Sequence, residues 1–234
     1  GEIVQVMVRT PPFPLQFSYM TDTPSPDWVQ VVINEWDDAF GATLTGIGGA
    51  KAAAAAFAHA WTARHKVEAK IEHEMRTYKI TQVTPPDSVP GQMRSAAWDD
   101  LDLLAHWLVQ FDVDTGMGER PLDETRQAVE YALNTDPHVR ALYIWEVDGV
   151  PVSMAGSAGP TPRGMRVNAV YTPPEHRKHG YASACVAAVT QHLFDSGREF
   201  CFLFTDLANP TSNHIYQQIG YKPVCDVDRW LFQV

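Results

Sequence analysis

The sequence predicts an α/β (α+β) chain: a mixed sheet flanked by helices after residue 91, and a smaller α/β region before it. Three observations point there. Short apolar runs that suit buried strands alternate with stretches of helical period. The dipeptide Asp148-Gly149 sits between two apolar runs, the sequence signal for an antiparallel hairpin. The segment Thr84-Pro85-Pro86-Asp87-Ser88-Val89-Pro90-Gly91 removes donors and helical freedom together, so it reads as a linker. The expected organisation is therefore a first domain over 1–84, a linker over 85–90 and a second domain over 91–234.

In the first domain, Ile3 to Val8 is apolar and β-branched and predicts a strand, ended by Pro11-Pro12-Phe13-Pro14. Leu15 to Met20 reads as a second short strand and Thr21 to Pro26 as a turn. Asp27 is placed to cap a helix from Trp28 to Phe40. Gly41 to Gly49 is glycine-rich and reads as flexible; no G-K-[ST] completes a phosphate loop there. Lys51 to His65 is predicted helical despite the run Ala52 to Ala56, because alanine is the best helix former. Val67 to Val83 alternates in part and predicts a long strand or a hairpin.

In the second domain Gln92 to Ala97 is a strand. A helix follows with acids in its first turn, at Asp99 and Asp100, and with Leu101, Leu104, Leu108 and Phe111 on its apolar face. Pro121 to Asn134 is a second helix. Ala141 to Val147 and Val150 to Gly156 form the hairpin, Ser157 to Gly164 a loop, and Met165 to Thr172 a strand. Tyr181, Cys185, Val186, Val189 and Leu193 give the helix Tyr181 to Gly197 one apolar side. Phe200 to Thr205 is a buried strand, a helix carries Tyr216, and Pro223 to Val227 and Arg229 to Gln233 close the chain as two strands.

Composition narrows the function. A formal net charge of −10 argues against a general nucleic-acid binder, which would show a basic face, and is compatible with an amine acceptor. The three cysteines, Cys185, Cys201 and Cys225, form no C-x-x-C, and the expectation is reduced thiols in a cytoplasmic protein. The nine histidines form no helical pair of zinc spacing, so no metal is expected. No run of about 18 apolar residues occurs, and no membrane partner is expected. The chain opens on Gly1 rather than Met, which leads to the expectation of a processed or truncated start. The oligomeric state is left open.

The most informative stretch is Val170-Tyr171-Thr172-Pro173-Pro174-Glu175-His176-Arg177-Lys178-His179-Gly180-Tyr181-Ala182-Ser183-Ala184. A strand meets a proline pair, a short basic loop follows, and a helix opens at a glycine. The first N–H groups of a helix have no partner inside it, and the aligned peptide dipoles leave about half a positive charge there. Arg177, Lys178 and His179 add charge of the same sign. The junction is suited to a pyrophosphate.

Together with the strand Phe200 to Thr205 leading to Asn209, and the helix carrying Tyr216 and closing at Ile219-Gly220-Tyr221, this makes the region from about Gly91 to Val234 resemble the GNAT-superfamily N-acetyltransferases. The resemblance implies the GNAT fold, a mixed and mostly antiparallel central sheet with one splayed cofactor strand, and acetyl-CoA (coenzyme A) as the acetyl donor. It implies that backbone groups of Val170, Tyr171 and Thr172 pair with the pantetheine arm. The R-x-x-G-x-A stretch, Arg177, Lys178, His179, Gly180, Tyr181 and Ala182, together with Ser183, would hold the pyrophosphate. Asn209 would help position the arm, and Tyr216 would protonate the departing thiolate. A phenol of pKa about 10 giving its proton to a thiolate of about 8.5 is uphill by about 2 kcal/mol, a small cost within acetyl transfer. The region before the linker is similar to the degenerate GNAT-like half that some members carry; it has no R-x-x-G-x-A match, and a structural role, or one wall of the substrate cleft, is expected of it.

The implied acceptor is a primary amine, small-molecule or peptide. A lysine-like amine is neutral only about once in 2,500 molecules near about pH 7, a penalty of about 4.6 kcal/mol, so a base is needed unless the amine is of low pKa. The family often carries a Glu in the strand before the Asn. Here the strand reads Phe202-Leu203-Phe204-Thr205-Asp206, without one. Asp206 and Glu146 are the nearest carboxylates by fold position. The missing Glu keeps a non-catalytic acyl-CoA-binding or regulatory module as the alternative, and a longer acyl donor as a third reading.

Overall fold

The computed structural model describes residues 6–9, 14–18, 26–41 and 43–233. Its strands are β1 (Met7–Val8), β2 (Leu15–Phe17), β3 (Gly46–Ala50), β4 (Glu68–Ile80), β5 (Gln92–Ser95), β6 (Arg140–Val147), β7 (Val150–Ala158), β8 (Gly164–Tyr171), β9 (Phe200–Asp206) and β10 (Lys222–Gln233). Its helices are α1 (Pro26–Phe40), α2 (Lys51–His65), α3 (Leu101–Asp114), α4 (Leu122–Asn134), α5 (Tyr181–Asp195) and α6 (Pro210–Gln218). Of the strand expected over Ile3 to Val8, the part at 3–5 lies outside the described residues, as do most of the turn at 21–26, the end of the strand expected to reach Met20, and the prolines at 11 and 12.

The chain forms two compact units. The first comprises Gly1–Thr77, Thr205–Pro210 and Pro223–Val234; the second comprises Tyr78–Phe204 and Thr211–Lys222. The expected linker over 85–90 falls inside the second unit. The Thr84 N–H donates to Ile219 O (3.0 Å), the Trp145 indole N–H donates to Pro90 O (2.9 Å), and Val83 and Val89 pack on the second unit's core. Proline content marked a segment without regular structure, but its apolar residues and its two anchors hold it against that core.

In the first unit the strands run in the order β1-β2-β3-β10-β4. β2 pairs with β3 in parallel and β10 with β3 antiparallel. β3 occupies the stretch that the glycine count marked as flexible. Its glycines are there for close approach: a Cβ on Gly46 would lie 2.3 Å from Trp230 O, and one on Gly48 2.5 Å from Gln16 Oε1. α2 turns Ala53, Ala54, Phe57, Ala58 and Trp61 inward at helical spacing, against Ile33, Ile47 and Phe232. The two closing strands expected at 223–227 and 229–233 are one strand, β10. Asp228 does not interrupt it, because Val227 to Leu231 pair without a break with Ala50 to Gly46.

In the second unit the order is β9-β8-β7-β6-β5, with β8 and β9 parallel and the other pairs antiparallel. Strand alternation sends side chains to two faces. Met165, Val167, Cys201 and Leu203 pack on one face with Val186, Val189 and Leu193 of α5. Ile144 and Met154 pack on the other with Leu104 and Leu108 of α3 and Val129 of α4. The expected hairpin forms at Asp148-Gly149, with both residues at positive φ. β7 runs on through Ser157 and Ala158, which the sequence reading placed in a loop.

Candidate functional site

β8 and β9 pair only at Gly164–Phe200, Met165–Cys201 and Arg166–Phe202. From Val167 to Tyr171, β8 has no β9 partner, so the two strands part there. On its other side β8 stays paired with β7, but the register shifts: Gly156 opposes Asn168 while Met154 opposes Tyr171. The extra residue of this bulge includes Ala169, held at φ 49°. An L-residue other than glycine rarely takes that conformation, and such strain gathers at functional sites. Nothing in the residue types of Asn168-Ala169-Val170 signals it.

The end of β8 is braced from two sides. Ser153 Oγ donates to Tyr171 O (3.0 Å) and lies 2.8 Å from Thr172 Oγ1. The Arg177 side chain folds back, its Nε donating to Thr172 O (2.9 Å) while its guanidinium pairs with Asp114 at the end of α3. Of the three residues expected to meet a pantetheine arm, Tyr171 and Thr172 therefore have their carbonyls engaged within the protein. Val170 lies beside Ala169, on the stretch of β8 that β9 leaves. Ser153 and Asp114 were not singled out by sequence; a buried serine opposite a strand end is visible only once the register is known.

After one 3₁₀ turn at Pro174–His176 the chain reaches Lys178 at φ 67° and Gly180 at φ 80°. These two left-handed residues turn the backbone into α5. A side chain at Gly180 would be strained at that φ, and its Cβ would meet Val89 at 3.0 Å. The first helical bond is Ala184 N–H to Gly180 O. Among the described residues, no protein acceptor is found for the N–H groups of Lys178, His179, Gly180, Tyr181, Ala182 or Ser183. Six successive backbone donors at a helix N-terminus without protein partners are a ready cradle for an anion. His179 stacks on Tyr181 (ring centroids 5.4 Å apart), Arg177 is paired with Asp114, and Lys178 is in no ion pair found among the described residues.

Tyr216 lies on α6, buried, with its ring 5.9 Å from that of Tyr221 and 6.5 Å from that of Tyr78. The neighbouring hydroxyls are partnered: Tyr221 with Thr190 (2.9 Å) and Tyr78 with Asn213 Oδ1 (3.0 Å). No hydrogen bond is found for the Tyr216 hydroxyl among the described residues. Burial pushes its pKa well above the ordinary phenol value, so it holds its proton at neutral pH. Asn209 stands in the turn before α6, its N–H donating to Asp206 O (3.1 Å), and belongs to the first unit.

The two carboxylates nearest by fold position are both engaged. Glu146 accepts from Arg94 Nε (2.7 Å), and Arg94 also binds Asp100 through two further nitrogens (2.7 and 2.8 Å). Asp206 accepts the Ala208 N–H (2.7 Å). The thiols of Cys185 and Cys201 are buried and pushed up to about 12 by burial, which leaves them as inert core groups.

The acetyltransferase (GNAT) family model matches residues 102–221, half of the chain. The chain belongs to the GNAT acetyltransferase family. Solved structures agree on the fold. A GNAT-family acetyltransferase from Colwellia psychrerythraea superposes with a TM-score of 0.64 at 12% identity over 99% of this chain and 82% of that one. GCN5-related N-acetyltransferases from Sphaerobacter thermophilus (TM-score 0.62, 13% identity, 97% and 75% covered) and Kribbella flavida (0.61, 16%, 93% and 80%) are also similar. No curated protein matches. Among the described residues, no helix of this GNAT protein is long and apolar enough to cross a membrane.

Proposed function

We propose that this GNAT protein transfers an acetyl group from acetyl-CoA to a primary amine, with both substrates bound together. The observation that carries the reading is the run of unpartnered N–H groups from Lys178 to Ser183 at the basic N-terminus of α5. They fit the pyrophosphate of coenzyme A, with Gly180 permitting close backbone approach and Arg177 tying the loop to β8 rather than binding directly. The gap that opens beyond Arg166 suits the extended arm, which would meet the backbone of Val170 and the adjoining Tyr171 and Thr172; Asn209 is carried over from the family as a further contact.

Acetyl-CoA supplies an activated thioester when bound. The amine nitrogen forms the new bond to the acetyl carbon, the carbon–sulfur bond breaks, and the amine proton must leave. Backbone N–H groups on the side of β8 that β9 leaves would polarise the carbonyl. Tyr216 returns a proton to the sulfur; its hydroxyl, protonated at neutral pH and without a partner found among the described residues, suits a general acid. Because Glu146 is tied to Arg94, the amine gives its proton to water or arrives neutral. The first unit serves as the degenerate, structural half. The engaged Glu146 also favours the second reading, a module that binds acyl-CoA without turnover.

Calorimetry with coenzyme A, and thiol release from acetyl-CoA with an amine panel, separate the readings. Binding with amine-dependent thiol release supports transfer, and binding without it supports the second reading. No binding overturns both.

A further inference from the structure

We infer that the acceptor is a primary amine bearing an anionic group beside an apolar body, the anion held by Arg166 with Arg140 and the body resting on Phe202 and Phe204. The inference rests on the acetyltransferase reading and names the substrate class of that same site.

Four strands of the second unit place one row of residues side by side. Arg140 opposes Ala158, Ala158 opposes Arg166, and Arg166 opposes Phe202. Residues directly opposed in a sheet point to the same face. That face is the one covered by α3 and α4, because Met165 and Val167, on either side of Arg166, pack with α5 on the other. Ala158 puts only a methyl group between the two arginines.

The arginines of this unit are otherwise satisfied. Arg94, Arg120, Arg126, Arg163 and Arg177 each pair with a carboxylate, and Arg198 donates to the His138 and Thr161 carbonyls. Among the described residues Arg140 and Arg166 have no acid partner. Arg140 lies over the Tyr131 ring (5.5 Å), and the Arg166 Nε is buried with no hydrogen-bond partner among the described residues. Burial, and then the charge of Arg140, hold the Arg166 guanidinium below its ordinary pKa. A guanidinium withdrawn from water beside a like charge, in a chain of net charge −10, is a position that an anion stabilises.

Its location gives the anion a purpose. Arg166 and Phe202 are the last paired residues before β8 and β9 part. An arm entering the gap from the N-terminus of α5 would run towards this pair, and Arg166 would then be the charge an acceptor meets beside the reacting carbonyl. Beyond Phe202, the Phe202 and Phe204 rings stand 6.1 Å apart along β9, and Phe204 is exposed. Two aromatic faces next to an unpaired guanidinium recognise an apolar body and an acid in one molecule.

Four probes test this by calorimetry on the full chain saturated with coenzyme A, which binds without reacting. Phenylalanine, phenylalaninamide and phenethylamine share one body and differ in the anion; phosphoethanolamine carries a phosphate without that body. Phenylalanine is expected to bind at least about tenfold more tightly than phenethylamine, with the amide close to phenethylamine. Arg166→Gln removes the difference, Arg166→Lys restores part of it, and Arg163→Gln, at an exposed pair, leaves it intact. In turnover assays Arg166→Gln raises KM for the acid-bearing amine by about tenfold to a hundredfold, with KM for acetyl-CoA unchanged. Tightest binding by phosphoethanolamine keeps the anion site and assigns it to phosphate, while removing the apolar body. Equal binding of phenylalanine and phenethylamine, a preference that survives Arg166→Gln, or binding of none of the four overturns the inference. Failure of coenzyme A itself to bind overturns the acetyltransferase reading instead.

Discussion

β3 runs directly into α2, whereas β8 reaches α5 only through residues 172–180. Both helices present an N-terminus with unpaired donors and the same dipole, yet the surroundings are opposite in sign. At α2 the first residue is Lys51, and its ammonium is bound by Glu74 (2.7 Å) with Asp228 4.0 Å away. At α5 the approach is Arg177-Lys178-His179; Arg177 is paired with Asp114, but Lys178 is in no ion pair found among the described residues, and two left-handed residues, Lys178 and Gly180, open the turn. The glycines differ in purpose as well. Those of β3 admit neighbouring side chains and backbone, while Gly180 frees a turn. A helix N-terminus is open to an anion when the preceding loop exposes its donors and leaves a cation beside them unpaired.

The sharpest way to break this comparison is at the chemistry. Tyr216→Phe is expected to lower turnover by about 10²- to 10⁴-fold while leaving the melting temperature unchanged, since no hydrogen bond to the hydroxyl is found among the described residues. Steady-state kinetics with a thermal melt checks both halves. Turnover that persists removes Tyr216 from the reaction. Next comes the turn. Gly180→Ala imposes a left-handed conformation costing about 1–2 kcal/mol and is expected to weaken coenzyme A binding by about tenfold, whereas Ala50→Gly before α2 leaves it unchanged. Calorimetry of the two variants would merge the two junctions if both lost affinity.

Much of this contrast is readable from residue types, because Pro173-Pro174, three basic residues and Gly180 each have one strong local preference. α5 and the Asp148-Gly149 hairpin are legible for the same reason. What escapes is set by distant partners. The glycines of β3 look flexible until Gln16, Phe17 and Trp230 press on them. Asp228 looks like a strand break until Gly49 pairs with it. The bulge at Ala169 and the row from Arg140 to Phe202 exist only through register between strands, which no single stretch of sequence encodes.

Two buried carboxylates extend the comparison to stability. Asp100, before α3, accepts two nitrogens of Arg94 and the Ala97 N–H (2.8 Å), and Arg94 holds its carboxyl below the ordinary value. A depressed pKa stabilises the fold above the unfolded value of about 3.9 and ceases to do so as pH falls through the folded value. Arg94→Gln, which also leaves Glu146 unpaired, is expected to cost about 2 kcal/mol at neutral pH, with the deficit closing in acid. Chemical denaturation at several pH values measures it, and a deficit independent of pH would show that packing rather than charge holds this corner.

Asp228 is the opposite case and gives the smallest expected effect. It is 2% exposed, one of its oxygens has no hydrogen-bond partner, and burial raises its pKa despite Lys51. A raised carboxyl pKa means that the folded state takes up a proton more readily than the unfolded chain. The protein is therefore relatively favoured at acid pH, and this advantage is lost as pH rises through the folded value. Asp228→Asn removes the buried charge while keeping its shape. It is expected to be neutral or stabilising by up to about 1 kcal/mol at neutral pH, with no gain in acid. The same denaturation series detects it. If the asparagine variant is less stable at neutral pH, the attraction of Lys51 outweighs the desolvation of Asp228, and the negative charge at α2 belongs to the architecture of the first unit as much as the open donors belong to the second.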